Sequence, residues 1–291
     1  MWGNVRDAAD ARYVVPGVRT IVADLRDPQS ALDLVEQIRP DFVFHLAAQA
    51  FVPQSWADPW DTYETNLRAQ LNLFEALVRL AETARVLALG SNEEYGLVRP
   101  EHLPLSEDAP LRPESPYSVS KIAQDFIGLQ YFLARKLPVV RVRPFNHIGP
   151  RQADRFVAAA FARQIAQIEA GLIPPVVKVG NLAAQRDFTD VRDMVRAYQL
   201  AILYGEVGEV YNIGSGTPRS IQHLLDTLLG FTDQTVSVEV DPDRMRPSDV
   251  PIAYCDASKF VSRTGWSPTI PFEQTLRDVL DDWRSRLRES L

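Results

Sequence analysis

The sequence predicts an α/β protein built on a doubly wound parallel sheet, with a smaller α/β lobe attached. Three observations carry that reading. Short apolar runs alternate with longer amphipathic stretches; the runs are apolar along their whole length; and the polar clusters fall just after the runs. Apolar strands separated by helices form parallel sheets covered on both faces. Such sheets take ligands at the carboxyl ends of their strands.

The elements follow in order. Residues 19–23 (RTIVA) read as a strand, and Pro28–Ile38 as a helix with Ala31, Leu34, Val35 and Ile38 on one face. Residues 41–46 (DFVFHL) form the next strand and 66–80 a long helix. Arg85–Leu89, a helix over 121–134 and a strand over 139–142 continue the alternation. After Pro144 the pattern loosens: helices over 156–170 and 190–204, a strand at Val210–Ile213, then helices at Ile221–Leu229 and 272–287. This predicts a nucleotide-binding sheet domain from 1–147 and 183–213, and a smaller lobe from 148–182 and 214–291.

Composition bounds the function. A globule of about 300 residues buries roughly three quarters of its unfolded surface and needs no staple. Hydrophobic residues at 46% and charged residues at 24% rule out disorder. The net charge of −7 argues against a nucleic-acid partner held by phosphate neutralisation. The single cysteine, Cys255, makes no internal disulfide, which points to a reducing cytoplasm. No apolar run reaches the roughly 18 residues of a membrane span, and no signal peptide pattern opens the chain.

The chemistry-bearing cluster is Tyr117 and Lys121, four residues apart on one helical face, with Ser91 upstream at a strand end. A phenol with a pKa of about 10 exchanges protons poorly at neutrality. A lysine charge about 4 Å away, worth up to ~4 kcal/mol at an effective dielectric of ~20, would bring it toward the working range. A serine hydroxyl beside it can hold a carbonyl oxygen. Taken alone, a Tyr and a Lys at this spacing are more often plain surface residues; the Ser-bearing strand end and the Pro116-Tyr117 helix start add weight.

Several segments then match together: Asp24-Leu25, His45-Leu-Ala-Ala-Gln49, Gly90-Ser-Asn-Glu-Glu-Tyr-Gly96, Ser115-Pro-Tyr-Ser-Val-Ser-Lys121 and Arg143-Pro-Phe-Asn-His-Ile-Gly-Pro150. Lys178-Val-Gly-Asn181, Arg186-Asp-Phe-Thr-Asp-Val191, Tyr211-Asn-Ile-Gly-Ser-Gly216 and Arg246-Pro-Ser-Asp-Val-Pro251 follow. Through them the chain resembles the extended short-chain dehydrogenase/reductases that act on nucleotide sugars. Within these it is most similar to GDP-4-keto-6-deoxy-mannose reductases and their relatives, the GDP-mannose 4,6-dehydratases. The resemblance implies a Rossmann-type sheet, truncated at its N-terminal side, NADP(H) or NAD(H) as cofactor, a GDP-sugar substrate, and a homodimer packed through the helices at 66–80 and 121–134.

The resemblance also implies roles. Tyr117 would protonate the C4 oxygen of the sugar as hydride arrives, Lys121 would tune it and hold the nicotinamide ribose, and Ser91 would hydrogen-bond the same oxygen. Glu93 stands where 4,6-dehydratases keep their C6 acid/base. Arg6, Asp24, Leu25, Ala47, Ala48, Gln49 and His147 would meet the cofactor, Arg6 at a 2′-phosphate. Asn146, Phe156, Val157, Lys178, Arg186 and Arg246 match the nucleotide-sugar side, where guanidinium forks suit a diphosphate.

Each residue has a blander reading. Asp24 can be a helix cap, Ala47 and Ala48 packing, Arg186 and Arg246 surface ion pairs, and Arg6 a frayed terminal residue. His147 reads first as a hydrogen-bonded structural histidine, His45 as core, and Trp56 and Trp60 as packing. No His or Cys cluster has metal-ligand spacing, so no metal is expected.

One feature of the family is missing. Its cofactor loop, G-x-x-G-x-x-G after the first strand, has no counterpart, because Gly3 and Gly17 are the only glycines before Gly90. The chain reads as beginning inside the family's second strand. An unpaired sheet edge is then expected between the strands at 19–23 and 41–46. A misplaced start codon is the preferred explanation and a truncated product the alternative. Activity stays open in the same way: reduction of the C4 ketone first, dehydration or another epimerase or reductase reaction second, and a catalytically impaired nucleotide-sugar-binding relative third.

Overall fold

A computed structural model describes residues 1–245 and 250–290. The chain runs through β1 (Trp2–Val5), β2 (Arg19–Val22), α1 (Pro28–Ile38), β3 (Phe42–His45), α2 (Val52–Ala57), α3 (Pro59–Tyr63), α4 (Ala69–Leu80), β4 (Arg85–Leu89), α5 (Pro116–Arg135) and β5 (Val139–Pro144). It continues with β6 (Asn146–Ile148), α6 (Val157–Glu169), β7 (Val176–Val179), β8 (Gln185–Asp190), α7 (Val191–Tyr204) and β9 (Val210–Ile213). Last come β10 (Pro218–Ser220), α8 (Ile221–Leu229), β11 (Ser237–Val240), β12 (Ile252–Ala253), α9 (Ser258–Thr264) and α10 (Phe272–Ser290).

The chain divides into two compact units: Met1–Gly96, Leu111–Arg143 and Leu200–Tyr211 form the first, and Leu97–Pro110, Pro144–Gln199 and Asn212–Leu291 the second. Residues 183–199, assigned from the sequence to the sheet domain, group with the second unit. The reason is β8, which pairs in parallel with β6 and β12 and antiparallel with β10.

In the first unit the parallel order is β3-β4-β5-β9, while β1 and β2 pair in parallel only with each other. Val86 and Leu87 of β4 and Val139, Val140 and Val142 of β5 are wholly buried. Val86 and Val139 pack with Phe74 and Leu77 of α4 and Tyr131 of α5. Burial of each such side chain is worth about 1.5–3 kcal/mol. The expected cover on both faces fails at β3, an edge strand whose Phe42 and Phe44 are 50% and 42% exposed. Trp56 and Trp60, expected in packing, are exposed as well.

Helix starts follow local chemistry. Asp27 caps α1 through the Ser30 amide ahead of Pro28, and Ser115 caps α5 through the Ser118 amide ahead of Pro116. The helix expected over 66–80 instead opens with a wide turn at Glu64–Arg68, and the regular helix starts at Ala69. That turn lets the Asn66 carbonyl accept from Gln124 Nε2 at 3.0 Å, while Asn66 Nδ2 donates to Ser120 Oγ at 2.9 Å. A buried amide network thus locks the α4 entry onto α5. The second unit has its own core, in which α6, α8 and α10 pack around Val177, Val179 and Phe188. Among the described residues no helix is long and apolar enough to cross a membrane.

Candidate active site

The site of the first unit sits where β4 ends and α5 begins. Ser91 follows β4 and caps a single helical turn at Asn92–Glu94: its Oγ accepts from the Glu93 amide at 3.2 Å, and its own amide donates to Glu94 Oε1 at 2.8 Å. This is a reciprocal capping box. It holds the Ser91 hydroxyl toward α5, where Ser91 hydrogen-bonds the Tyr117 phenol. Tyr117, in the first turn of α5, is 8% exposed. Ser91, Tyr117 and Lys121 are therefore brought together and buried, as the spacing predicts.

Their electrostatics differ from expectation. Burial raises the Tyr117 phenol well above its ordinary value; the Ser91 hydrogen bond opposes this and the Glu93 and Glu94 charges add to it. The expected lowering by Lys121 is not seen. Lys121 Nζ lies 6.0 Å from the Tyr117 ring centroid and donates elsewhere, to the Leu89 carbonyl at 2.8 Å and Gln124 Oε1 at 2.9 Å. Burial brings Lys121 down to about 8, with Glu94 opposing.

Beneath this cluster lies a charged network that the sequence pattern does not single out. Glu94 Oε2 is 3.0 Å from Arg143 Nε, Arg143 Nη2 is 2.5 Å from Asp125 Oδ2, and Arg141 Nη1 is 2.7 Å from Asp125 Oδ1. Arg143 Nη1 also donates to the Tyr95 hydroxyl at 3.1 Å. All four charged residues are buried. Burial and the Asp125 charge push Glu94 upward against Arg143. Two signals of the network do stand in the sequence: Asp125 lies four residues after Lys121 on the same helical face, and Arg141 and Arg143 interrupt a strand that is otherwise apolar.

The other cofactor-side candidates divide. Asp24 is engaged by Arg26, with Oδ2 2.7 Å from Nη2, and that hydrogen bond holds its carboxyl below the usual range. The Leu25 side chain packs with Ala31, Leu34 and Ala69. Arg6 and Ala47 are exposed and Ala48 half-buried. The Gln49 side chain is spent on Thr62 Oγ1 and the Phe51 amide, at 3.0 and 2.6 Å. His45 is core, as expected; burial and the Lys121 charge bring it down to about 4, and its Nε2 has no partner.

The second unit carries the remaining candidates. The His147 Nδ1 sits 3.1 Å from the Phe145 carbonyl, the arrangement of a structural histidine, and burial lowers its pKa. Asn146 keeps a buried Oδ1 without a partner. Phe156 and Val157, at the start of α6, are half-buried, and Lys178 is exposed on β7. Arg186 Nη1 donates to the Val250 carbonyl at 2.6 Å. Arg246 lies outside the described residues.

The family model described as GDP-mannose 4,6 dehydratase matches residues 2–279. The chain is 39% identical to the GDP-6-deoxy-D-mannose reductase of Pseudomonas aeruginosa over 266 residues, 91% of this chain and 87% of the relative. It is 32% identical to GDP-mannose 4,6 dehydratase 2 of Arabidopsis thaliana over 266 residues, 89% and 70% of the two chains. In structure it superposes on RMD from Pseudomonas aeruginosa complexed with NADPH at a TM-score of 0.87 and 36% identity, covering 96% of this chain and 94% of that one. For the UDP-glucose 4-epimerase of Thermus thermophilus in complex with NAD the TM-score is 0.84 at 28% identity, covering 94% and 87%. Family-model coverage and close identity together place this chain in the GDP-mannose 4,6 dehydratase family.

Proposed function

We propose that the chain reduces the C4 ketone of a GDP-4-keto-6-deoxyhexose to a GDP-6-deoxyhexose at the expense of NADPH or NADH. The observation that carries this reading is the buried Ser91–Tyr117–Lys121 cluster in a chain 39% identical to a GDP-6-deoxy-D-mannose reductase.

The nicotinamide end of the cofactor fits the residues present. Lys121 spends two of its three N–H donors on Leu89 and Gln124, which leaves one for a ribose hydroxyl. Asp24 and Leu25 would border the adenine, Arg6 would face a 2′-phosphate, and Ala47, Ala48 and Gln49 follow β3 on the pyrophosphate side, through backbone in the case of Gln49. When bound, the nicotinamide supplies the hydride. The chain's own part is proton delivery and orientation. A phenol raised by burial stays protonated at neutrality, so Tyr117 is loaded as an acid and releases its proton only to the strongly basic alkoxide oxygen. Ser91 holds that oxygen in place, and Lys121 holds the nicotinamide ribose. The resemblance assigns Asn146, Phe156, Val157, Lys178, Arg186 and Arg246 to the nucleotide-sugar side, guanidinium forks being suited to a diphosphate.

A second reading, 4,6-dehydration, is favoured by Glu93, a half-buried carboxylate whose charge reaches Tyr117. NADPH consumed only with the 4-keto sugar supports reduction; GDP-mannose converted without added reductant supports dehydration.

Two further properties belong to this proposal. Val119, Phe126 and Leu133, seven residues apart along α5, are 43%, 51% and 57% exposed, an apolar stripe suited to a homodimer formed through α4 and α5. Cys255, buried and free, suits a cytoplasmic enzyme.

A further inference from the structure

We propose that Glu94 is a positioning residue for the C4 reduction: its carboxylate ties the turn that carries Ser91 to the helix that carries Tyr117 and Lys121. The inference rests on the reductase reading above and goes beyond it to a residue without a role there. One oxygen of Glu94 takes the Ser91 amide at 2.8 Å; the other makes no hydrogen bond and stands 3.0 Å from Arg143 Nε as an ion pair, the one Nε–H going to Asp125. Arg143 is bound in turn to Asp125 on α5 at 2.5 and 2.9 Å. Asp125 lies four residues beyond Lys121 and eight beyond Tyr117, so the strut ends on the face of α5 that faces the chemistry. Ser91 and Tyr117 come from different elements, and Glu94, Arg143 and Asp125 connect those elements beneath them.

The space for this strut is cut to the carboxylate. A Cβ on Gly90 would come 2.2 Å from Glu94 Oε1, so Glu94 in this position requires a glycine at 90. The carboxylate meets an N–H at one oxygen and the guanidinium charge at the other, whereas an amide offers one oxygen and one donor group. Glu94→Gln therefore keeps size and shape but must present an N–H₂ either to the Ser91 amide or to the Arg143 guanidinium. Only one end of the strut survives.

Two measurements on the full chain test this. In steady-state turnover of NADPH with the 4-keto-6-deoxy GDP-sugar, Glu94→Gln is expected to lower kcat by about tenfold to hundredfold, the usual loss for a hydrogen bond to a charged group. KM for the sugar nucleotide should stay within about twofold and the thermal midpoint within a few degrees. A merely structural role would lower the folded fraction and leave kcat per folded molecule untouched, and that result overturns the proposal. Independently of activity, exchange of the Ser91 amide proton by NMR should be faster in Glu94→Gln and faster again in Glu94→Leu; unchanged exchange in both overturns it. If wild-type protein fails to turn over while Ser91 exchange responds to Glu94, the reductase reading falls and the strut stands.

Discussion

Lys121 Nζ donates to the Leu89 carbonyl at 2.8 Å. The ammonium on α5 is thereby pinned to the last residue of β4, two positions before Ser91. Strand end and helix start, the two places where a parallel α/β sheet presents chemistry, are joined directly by the residue proposed to hold the nicotinamide ribose. The phenol beside it is buried, which favours its neutral form.

Tyr117→Phe keeps the ring and removes the acid. Turnover of the 4-keto sugar is expected to fall by about 10²–10⁴-fold, while GDP binding measured by calorimetry stays unchanged. Retained turnover would remove Tyr117 from the acid role.

Asp125 stands between Arg141 and Arg143, with side-chain exposure of 1%. Asp125→Ala leaves the buried Arg141 with the Gly208 carbonyl and the buried Arg143 with Glu94 and the Tyr95 hydroxyl, two guanidiniums against one carboxylate. Breaking a buried pair by removal of one partner costs about 3–5 kcal/mol, so the urea midpoint should drop by that equivalent with an unchanged m-value. A loss under about 1 kcal/mol would show that the network is better hydrated than its burial indicates.

Gly96 has φ +49, and a Cβ there would fall 1.7 Å from the backbone oxygen of Arg112. Backbone cannot swing aside as a side chain can. Gly96→Ala is expected to cost about 3 kcal/mol or more, read as a lower thermal midpoint, whereas Gly17→Ala, with nothing within 4 Å of its Cβ, should cost only the strain of its left-handed φ.

His45 gives a pH dependence. Its folded pKa is drawn down to about 4 from 6.5, so between those values the unfolded chain binds more protons and stability falls as pH falls. The His45 share of stability is complete above pH 6.5, and about 3 kcal/mol is lost on acidification through pH 4. Equilibrium unfolding at pH 7 and pH 4.5 should show this loss, and His45→Gln should remove its share.

Much of this arrangement is legible in the sequence. The helix at Pro28–Ile38 and the strand at Arg85–Leu89 lie where the apolar pattern puts them. Ser91, Tyr117 and Lys121 stand out because strand-end and helical-face spacing are local rules. The short strands at Asn146–Ile148, Gln185–Asp190 and Pro218–Ser220 do not, since their register is set by each other across the chain. The wide turn at Glu64–Arg68 is invisible locally because it is stabilised by Gln124, far away in sequence. Glu94 is masked by its neighbour Glu93, which occupies the position that the resemblance marks, and only the fold brings Arg143 under it.

The central claim is that this chain, with Tyr117 as acid, reduces a C4 ketone. The most direct measurement follows NADPH consumption on mixing the chain with the GDP-4-keto-6-deoxyhexose, with GDP-mannose alone as the control. Stoichiometric conversion to a GDP-6-deoxyhexose is expected with the keto sugar and no change with GDP-mannose. Conversion of GDP-mannose to the 4-keto sugar without reductant, or no NADPH consumption while the keto sugar is bound, would contradict it.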